Sequence, residues 1–405
     1  MRTRPLAPAI AIGALAQAVF AWRLTTPHSL VFDEIHYVPA ARTLLTLWHP
    51  VNTEHPLLGK LLIALGIALF GDNPLGWRAL STLAGTATVL GVYAILWLML
   101  GRVRRAVIGS LLVLVNCTVF VQARIAMLDG FMAAFVVGAV AAMLWAMRGK
   151  GPQVWRRWLL GSVLLGLAVG VKWTALPYVA YAGIAFLCLN RPNRWPGLAL
   201  WRALAILGLG SGLTYLATFA PAFFYAQDPL TIRTLIPFQF EMLTRQTIVL
   251  PHHNYQSPWW SWPLMIRPVW YLYEPVDGAV RGVLMIGNPV VMWGGLVAVA
   301  LCLRAAIRER SAMLYAVAGL WAGSWAMWAV IPKSVGFFYY YYLSSIWLCV
   351  VLAVALDRVG RRRPWDVAFL TLAAGLFVYF YPILSAAALP DSRAFVRWIW
   401  FSSWA

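Results

Sequence analysis

The chain has 405 residues, 62% of them hydrophobic and 11% charged, with a mean hydropathy of +0.74. Soluble domains carry roughly 25% charged residues, so this composition excludes a single water-exposed core and requires lipid as part of the solvent. The net charge of +19 does not point to nucleic acid, because the basic residues form short clusters between apolar stretches rather than one polar face.

In chain order, stretches long enough for a hydrocarbon core about 30 Å thick lie at 7–24, 76–100, 106–122, 130–147, 158–172, 174–189, 203–223, 283–303, 312–331, 338–356 and 367–387. The first is read as a retained span, since no small-residue cleavage site follows it. Segment 56–70 is short and carries Lys60, which predicts a re-entrant or interfacial helix. The expected fold is an all-α polytopic membrane protein with about eleven spans in one domain over 1–405. Two long outer loops, 25–75 and 224–282, are expected to bear interfacial helices. Four cysteines (Cys117, Cys188, Cys302 and Cys349) lie in apolar stretches without a partnering spacing and read as inert thiols.

Charge orients the chain. With the N-terminus in the cytoplasm, the inner segments Met1–Leu6, 101–105, 148–157, 190–202, 304–310 and 357–366 hold 19 of the 32 Lys/Arg and only three acids, Glu309, Asp357 and Asp366. Short inner loops rich in Lys and Arg are the signature of that orientation. All six histidines and the remaining acids then fall at the outer face.

Chemistry-bearing residues therefore gather outside. Asp33 and Glu34 open a predicted amphipathic helix over 34–47, where an acid also suits a helix start. Glu54, His55 and Lys60 lie within seven residues of one another; the alternative for Lys60 is a snorkelling anchor. Arg78 sits at the outer end of the second span, where an arginine snorkels or meets an anion. Arg124 and Asp129 flank a short outer turn, either as a structural pair or as ligands. Lys172 joins two apolar stretches. Lys333 precedes the run Phe337–Tyr342, which by itself reads as an aromatic belt. Cations near membrane depth suit a lipid phosphate, and nearby carboxylates could take a proton from an incoming hydroxyl.

FDEIHY (32–37), EHPLLGKLL (54–62), GWRALS around Arg78, ARIAMLD (123–129), GLAVGVKWT (166–174), YQSPWWSWPL (255–264), GNPVVMW (287–293) and KSVGFFYYYYL (333–343) run in one order across the chain. In this combination the sequence resembles the protein O-mannosyltransferases, within the wider GT-C glycosyltransferases that use polyprenyl-phosphate sugars. The resemblance implies inverting transfer of a hexose, typically mannose, from a polyprenyl-phosphate sugar to a hydroxyl of an exported protein outside the cytoplasm. It implies Asp33 as the base with Glu34 beside it, and Arg78, His55, Lys60, Lys172 and Lys333 around the donor. Glu54, Arg124, Asp129, His253 and Tyr255 are expected in support. A divalent metal could be held through Glu54, His55, His252 or His253. Two departures stand out: Leu57 follows His55-Pro56 where the family usually has a second proline, and no β-trefoil is inserted in the second outer loop. A glycolipid or polysaccharide acceptor, as in the aminoarabinose transferases of lipid A, is the related alternative; a lipid-sugar transporter is the alternative of another class.

Overall fold

The computed structural model describes residues 5–190, 193–331, 333–359 and 364–405. Parts of the basic segments Met1–Leu6, 190–202 and 357–366, and Pro332, lie outside the described residues.

The apolar runs become helices whose ends are written locally. Helix α1 (Leu6–Ala21) and the amphipathic α2 (Glu34–Thr46) precede α3 (Leu58–Phe70) and the long α4 (Pro74–Leu100). Asn73 starts α4 by accepting from the amides of Leu75 and Gly76, with Pro74 in the first turn, and Gly101 ends it in the left-handed region at φ 67°. The α3–α4 hairpin closes so tightly that a Cβ on Gly76 would lie 1.9 Å from the carbonyl oxygen of Gly71. That approach fixes Lys60 on α3 relative to Arg78 on α4.

The expected span 106–122 is interrupted. Helix α5 (Val103–Leu114) stops before Asn116, and the short α6 (Cys117–Gln122) resumes. Buried Asn116 donates to Ser345 Oγ at 3.1 Å, and the carbonyl of Val115 accepts from Asn288 Nδ2 at 3.0 Å. Polar anchoring from other helices thus replaces the helical ladder at the break. Helices α7 (Leu128–Ala146), α8 (Pro152–Val171), α9 (Leu176–Leu189) and α10 (Leu200–Ala217) follow, then α11 (Leu235–Gln246) in the second outer loop.

A β-hairpin comes next, in place of an all-helical loop. Strands β1 (Val269–Val276) and β2 (Ala279–Met285) pair antiparallel around Asp277-Gly278, both at positive φ (51° and 71°). Asp-Gly is the preferred dipeptide of such a turn. The expected span 283–303 accordingly begins later, as α12 (Pro289–Glu309). Helices α13 (Ala312–Ala326), α14 (Tyr342–Val359) and α15 (Trp365–Phe380) complete the chain.

Among the described residues, seven helices are long and apolar enough to cross a membrane, and Leu6–Ala21, Leu58–Phe70 and Trp173–Leu189 are shorter apolar helices. Helix α7 packs between α4 and α8, α8 also meets α10, and α14 lies against α12, α13 and α5. Of the cysteines, Cys117, Cys302 and Cys349 are buried free thiols, whereas Cys188 on α9 is exposed.

Candidate active site

At one end of the bundle the start of α2, loop 51–57, the starts of α4 and α7, the end of α8 and segment 333–341 converge. The adjacent acids Asp33 and Glu34 meet different fates there. Successive residues at a helix start project about 100° apart, so one side chain enters the wall and the other faces the cleft. Glu34 is fully buried. Its Oε1 accepts from Arg78 Nε and the Ala126 amide, and its Oε2 accepts from Arg78 Nη2 and the Val31 amide, all at 2.8 Å.

Arg78 is equally enclosed. Besides Glu34, it donates to the carbonyls of Leu24 (3.3 Å), Pro27 (2.7 Å) and Ser29 (2.8 Å). All five guanidinium hydrogens are therefore used within the protein. The expectation that Arg78 meets a donor phosphate does not fit this geometry, because no N–H remains to offer. Glu34 likewise has no free oxygen lone pair directed to a reacting group. Together they clamp loop 24–31 to α4.

Asp33 is half-buried and receives one side-chain hydrogen bond, from Tyr37 Oη at 3.3 Å. It stands at the start of α2 yet makes no side-chain cap. Burial pushes its carboxyl up to about 6, while the ammonium of Lys172 and the imidazole of His36 hold it down and Asp129 opposes them. Burial also raises the Tyr37 phenol well above its ordinary range, so Tyr37 remains a donor. Preceding Asp33, Phe32 sits at φ 51°, a conformation unusual for a bulky residue. Its ring is held there by stacking on Tyr271 at 4.1 Å and by the edge of Tyr339 at 5.6 Å.

Lys172 donates to both oxygens of Asp129, at 2.9 and 2.8 Å, and lies 5.5 Å from the ring centres of Tyr339 and Tyr340. Asp129 thus pairs with Lys172 and not with Arg124. Arg124 instead closes the end of α1, donating to the carbonyls of Phe20 (2.8 Å), Trp22 (2.5 Å) and Arg23 (3.0 Å). Lys60 is fully buried and donates to the carbonyls of Asn52 (2.5 Å), His55 (2.9 Å) and Val51 (3.5 Å), so it is neither a snorkelling anchor nor free to bind a donor.

Lys333 differs. It is half-buried, and its contacts to Gln246 are long, 3.4 and 3.5 Å. Burial and the charge of Lys172 bring its ammonium down to about 8. Burial and then Lys172, Lys60 and Lys333 drive the His55 imidazole well below its usual value, leaving it neutral. His55 Nδ1 is buried without a hydrogen-bond partner. One strong cation with spare hydrogens and one unpartnered imidazole nitrogen thus share the cleft with the Asp33 carboxylate. Glu54 accepts from Asn52 at 2.5 Å, and its carbonyl accepts from Gln246 at 2.6 Å, so it shapes the loop. His253 is exposed at the rim, its ring 5.1 Å from Phe337 and its Nδ1 accepting from the Tyr255 amide.

The run Phe337–Tyr342 is no aromatic belt, since Phe338, Tyr339, Tyr341 and Tyr342 are buried and Tyr339 and Tyr340 wall the cleft. Sequence reasoning also missed Tyr37 and Tyr271. Tyr37 lies four residues after Asp33, one helical turn away, a spacing that brings side chains together; Tyr271 was hidden in the hairpin. Among the described residues no three His, Cys, Asp or Glu side chains come together as a metal site.

Two family models match the chain. One, described as dolichyl-phosphate-mannose-protein mannosyltransferase, covers residues 54–225; the other, the C-terminal four TMM region of protein-O-mannosyltransferase, covers 231–404. Asp33 and Glu34 precede the first match. The chain is similar to the polyprenol-phosphate-mannose–protein mannosyltransferase of Mycobacterium tuberculosis, with 29% identity over 94% of this chain and 88% of the relative. A Saccharomyces cerevisiae protein O-mannosyltransferase complex bound to the sugar donor superposes with a TM-score of 0.85 at 13% identity, covering 100% of this chain and 94% of that one. ArnT from Cupriavidus metallidurans follows at 0.62 and 18%, over 96% and 67% of the two chains. At these identities the two structures speak to the fold alone.

Proposed function

Because this chain belongs to the protein O-mannosyltransferase family, we propose that it moves mannose from a polyprenyl-phosphate donor to a Ser or Thr hydroxyl of an exported protein. The observation that carries the reading is the contrast between two neighbouring acids. Glu34 has every lone pair engaged; Asp33 keeps a carboxylate with one long hydrogen bond, in a cleft with two lysines.

The chemistry follows. The acceptor hydroxyl attacks the anomeric carbon and gives its proton to Asp33, whose pKa of about 6 leaves it ionised at neutral pH yet basic enough to help. The new C–O bond forms as the bond to the phosphate oxygen breaks on the opposite face, so configuration inverts. The departing polyprenyl phosphate is a stable anion and needs no acid. Lys333 meets that developing charge, with Lys172 adding to the local positive potential and His55 Nδ1 free to accept from a sugar hydroxyl or a protonated phosphate. Tyr37 positions Asp33. Arg78, Glu34, Lys60 and Arg124 build the walls.

The distribution of Lys and Arg supports an orientation with the N-terminus in the cytoplasm and this cleft on the outer side of a bacterial inner or plasma membrane. The test is transfer in isolated membranes from radiolabelled polyprenyl-phosphate mannose to a Ser/Thr-rich exported peptide, with NMR of the product's anomeric centre. Label on peptide with inverted configuration is expected. Label recovered only in glycolipid would move the acceptor to the lipid alternative, and no label leaving the donor would refute the reading.

A further inference from the structure

Helices α4, α7, α8 and α10 each have one end towards the active site; their other ends gather on the opposite membrane face. We propose that this second edge is a binding site for anionic phospholipid headgroups. Arg148, just beyond α7, lies over the ring of Trp97 on α4 at 5.1 Å and donates to the Leu98 carbonyl at 2.6 Å. Arg157 on α8 covers Trp145 on α7 at 3.9 Å and donates to its carbonyl at 3.1 Å. Arg156 pairs with Trp155 at 5.6 Å, and Arg202 with Trp201 at 5.1 Å. Trp145, Trp155 and Trp201 are exposed, as are Arg148, Arg156 and Arg202.

Charge and shape both favour a phosphodiester. Residues 145–157 and 193–202 contain no acid, and among the described residues no carboxylate pairs with Arg148, Arg156, Arg157 or Arg202. Elsewhere on the same face several arginines are engaged: Arg102 and Arg105 bond Asp357 at 2.9 Å, and Arg104 bonds Asp366 at 3.0 Å. Indoles sit at the boundary between hydrocarbon and headgroup, and an arginine stacked on an indole keeps N–H groups in the ring plane available to phosphate oxygens.

The edge is also held rigid. Trp195 donates to the Met143 carbonyl of α7 at 3.0 Å and packs on Trp158 of α8 and Phe186 of α9 at 5.4 and 5.0 Å; Trp158 donates to the Ala203 carbonyl of α10 at 2.9 Å. Four helix ends are therefore stapled beneath the arginines before any lipid arrives.

The inference rests on the membrane-spanning reading and not on the transfer reaction. Native mass spectrometry of the full-length protein, from micelles with equimolar phosphatidylglycerol and phosphatidylcholine, tests it. Each cation near an anionic surface is worth about fivefold in affinity, so three together give about a hundredfold. The wild type should retain phosphatidylglycerol at least about tenfold over phosphatidylcholine, and Arg148→Gln/Arg156→Gln/Arg202→Gln should lower that to about parity. Arg308→Gln, exposed on α12, should leave it unchanged. Equal retention of the two lipids by the wild type would overturn the proposal whether or not the triple variant folds; so would a preference that survives the triple change or disappears with Arg308→Gln.

Discussion

Replacing Asp33 by Asn should separate catalysis from folding, and in opposite directions. Moving the carboxyl from 3.8 to about 6 costs about 3 kcal/mol at 1.36 kcal/mol per pH unit; the half-open mouth of the cleft reduces this to about 1–2 kcal/mol. The folded-state pKa is the higher one. Its stabilising contribution is thus complete below 3.8 and lost as pH rises through about 6. At pH 8 the wild type bears the whole penalty and Asp33→Asn does not, so the variant should melt about 1–2 °C higher. Near pH 4 the difference should shrink towards zero. Turnover should meanwhile fall about 10²–10⁴-fold, the usual contribution of a positioned base. Wild-type activity should drop about tenfold per unit on the acid side of pH 6. Intrinsic tryptophan fluorescence on heating in detergent, alongside the mannosyl-transfer assay, gives both readouts. A variant that is less stable than wild type at pH 8, or one that keeps near wild-type turnover, would refute the assignment of the base and of its buried charge.

Lys333→Met should raise the donor KM about 10–100-fold, the worth of a charge-assisted hydrogen bond to phosphate, with little change in acceptor KM; equal shifts in both would contradict its place at the phosphate. With its ammonium brought down to about 8, donor affinity of the wild type should weaken above that pH, and Lys333→Met should abolish this basic limb. Arg78→Ala leaves Glu34 charged and unpaired in a buried site, so it should cost about 3–5 kcal/mol of stability and show first as lost folded protein. Folded protein of normal melting temperature with only a raised donor KM would restore Arg78 to the phosphate. Asp129→Asn should destabilise by a similar amount through the stranded Lys172, and the added change Lys172→Met should recover part of the melting temperature though not the activity. A double variant no better than Asp129→Asn would argue against the pair as the cause.

The membrane architecture was legible because burial in lipid forces long apolar runs. The acidic pair, His55, Lys172 and Lys333 stood out in the sequence as polar residues set between apolar stretches. Their division of labour was not legible, because whether an arginine has spare donors depends on carbonyls contributed by distant segments: Arg78 meets Leu24, Pro27 and Ser29, some fifty residues earlier. The break at Asn116 was hidden for the same reason, its polar partners lying on α14 and at Asn288. The hairpin was obscured because its Asp277-Gly278 turn sits beside an apolar run that continues into α12. There the span signal overrode the alternation of the strands.

The clamp on Glu34 has a consequence for how mutational data on this enzyme must be interpreted. Asp33, the base we propose, has sparse bonding of its own and owes its placement to the peptide link that joins it to a saturated neighbour. Conservative replacement of either acid will therefore silence transfer, one by removing the proton acceptor and the other by letting the acceptor drift. Inactivity alone cannot tell the two apart; the thermal response can, because only the drifting variant should also soften the protein.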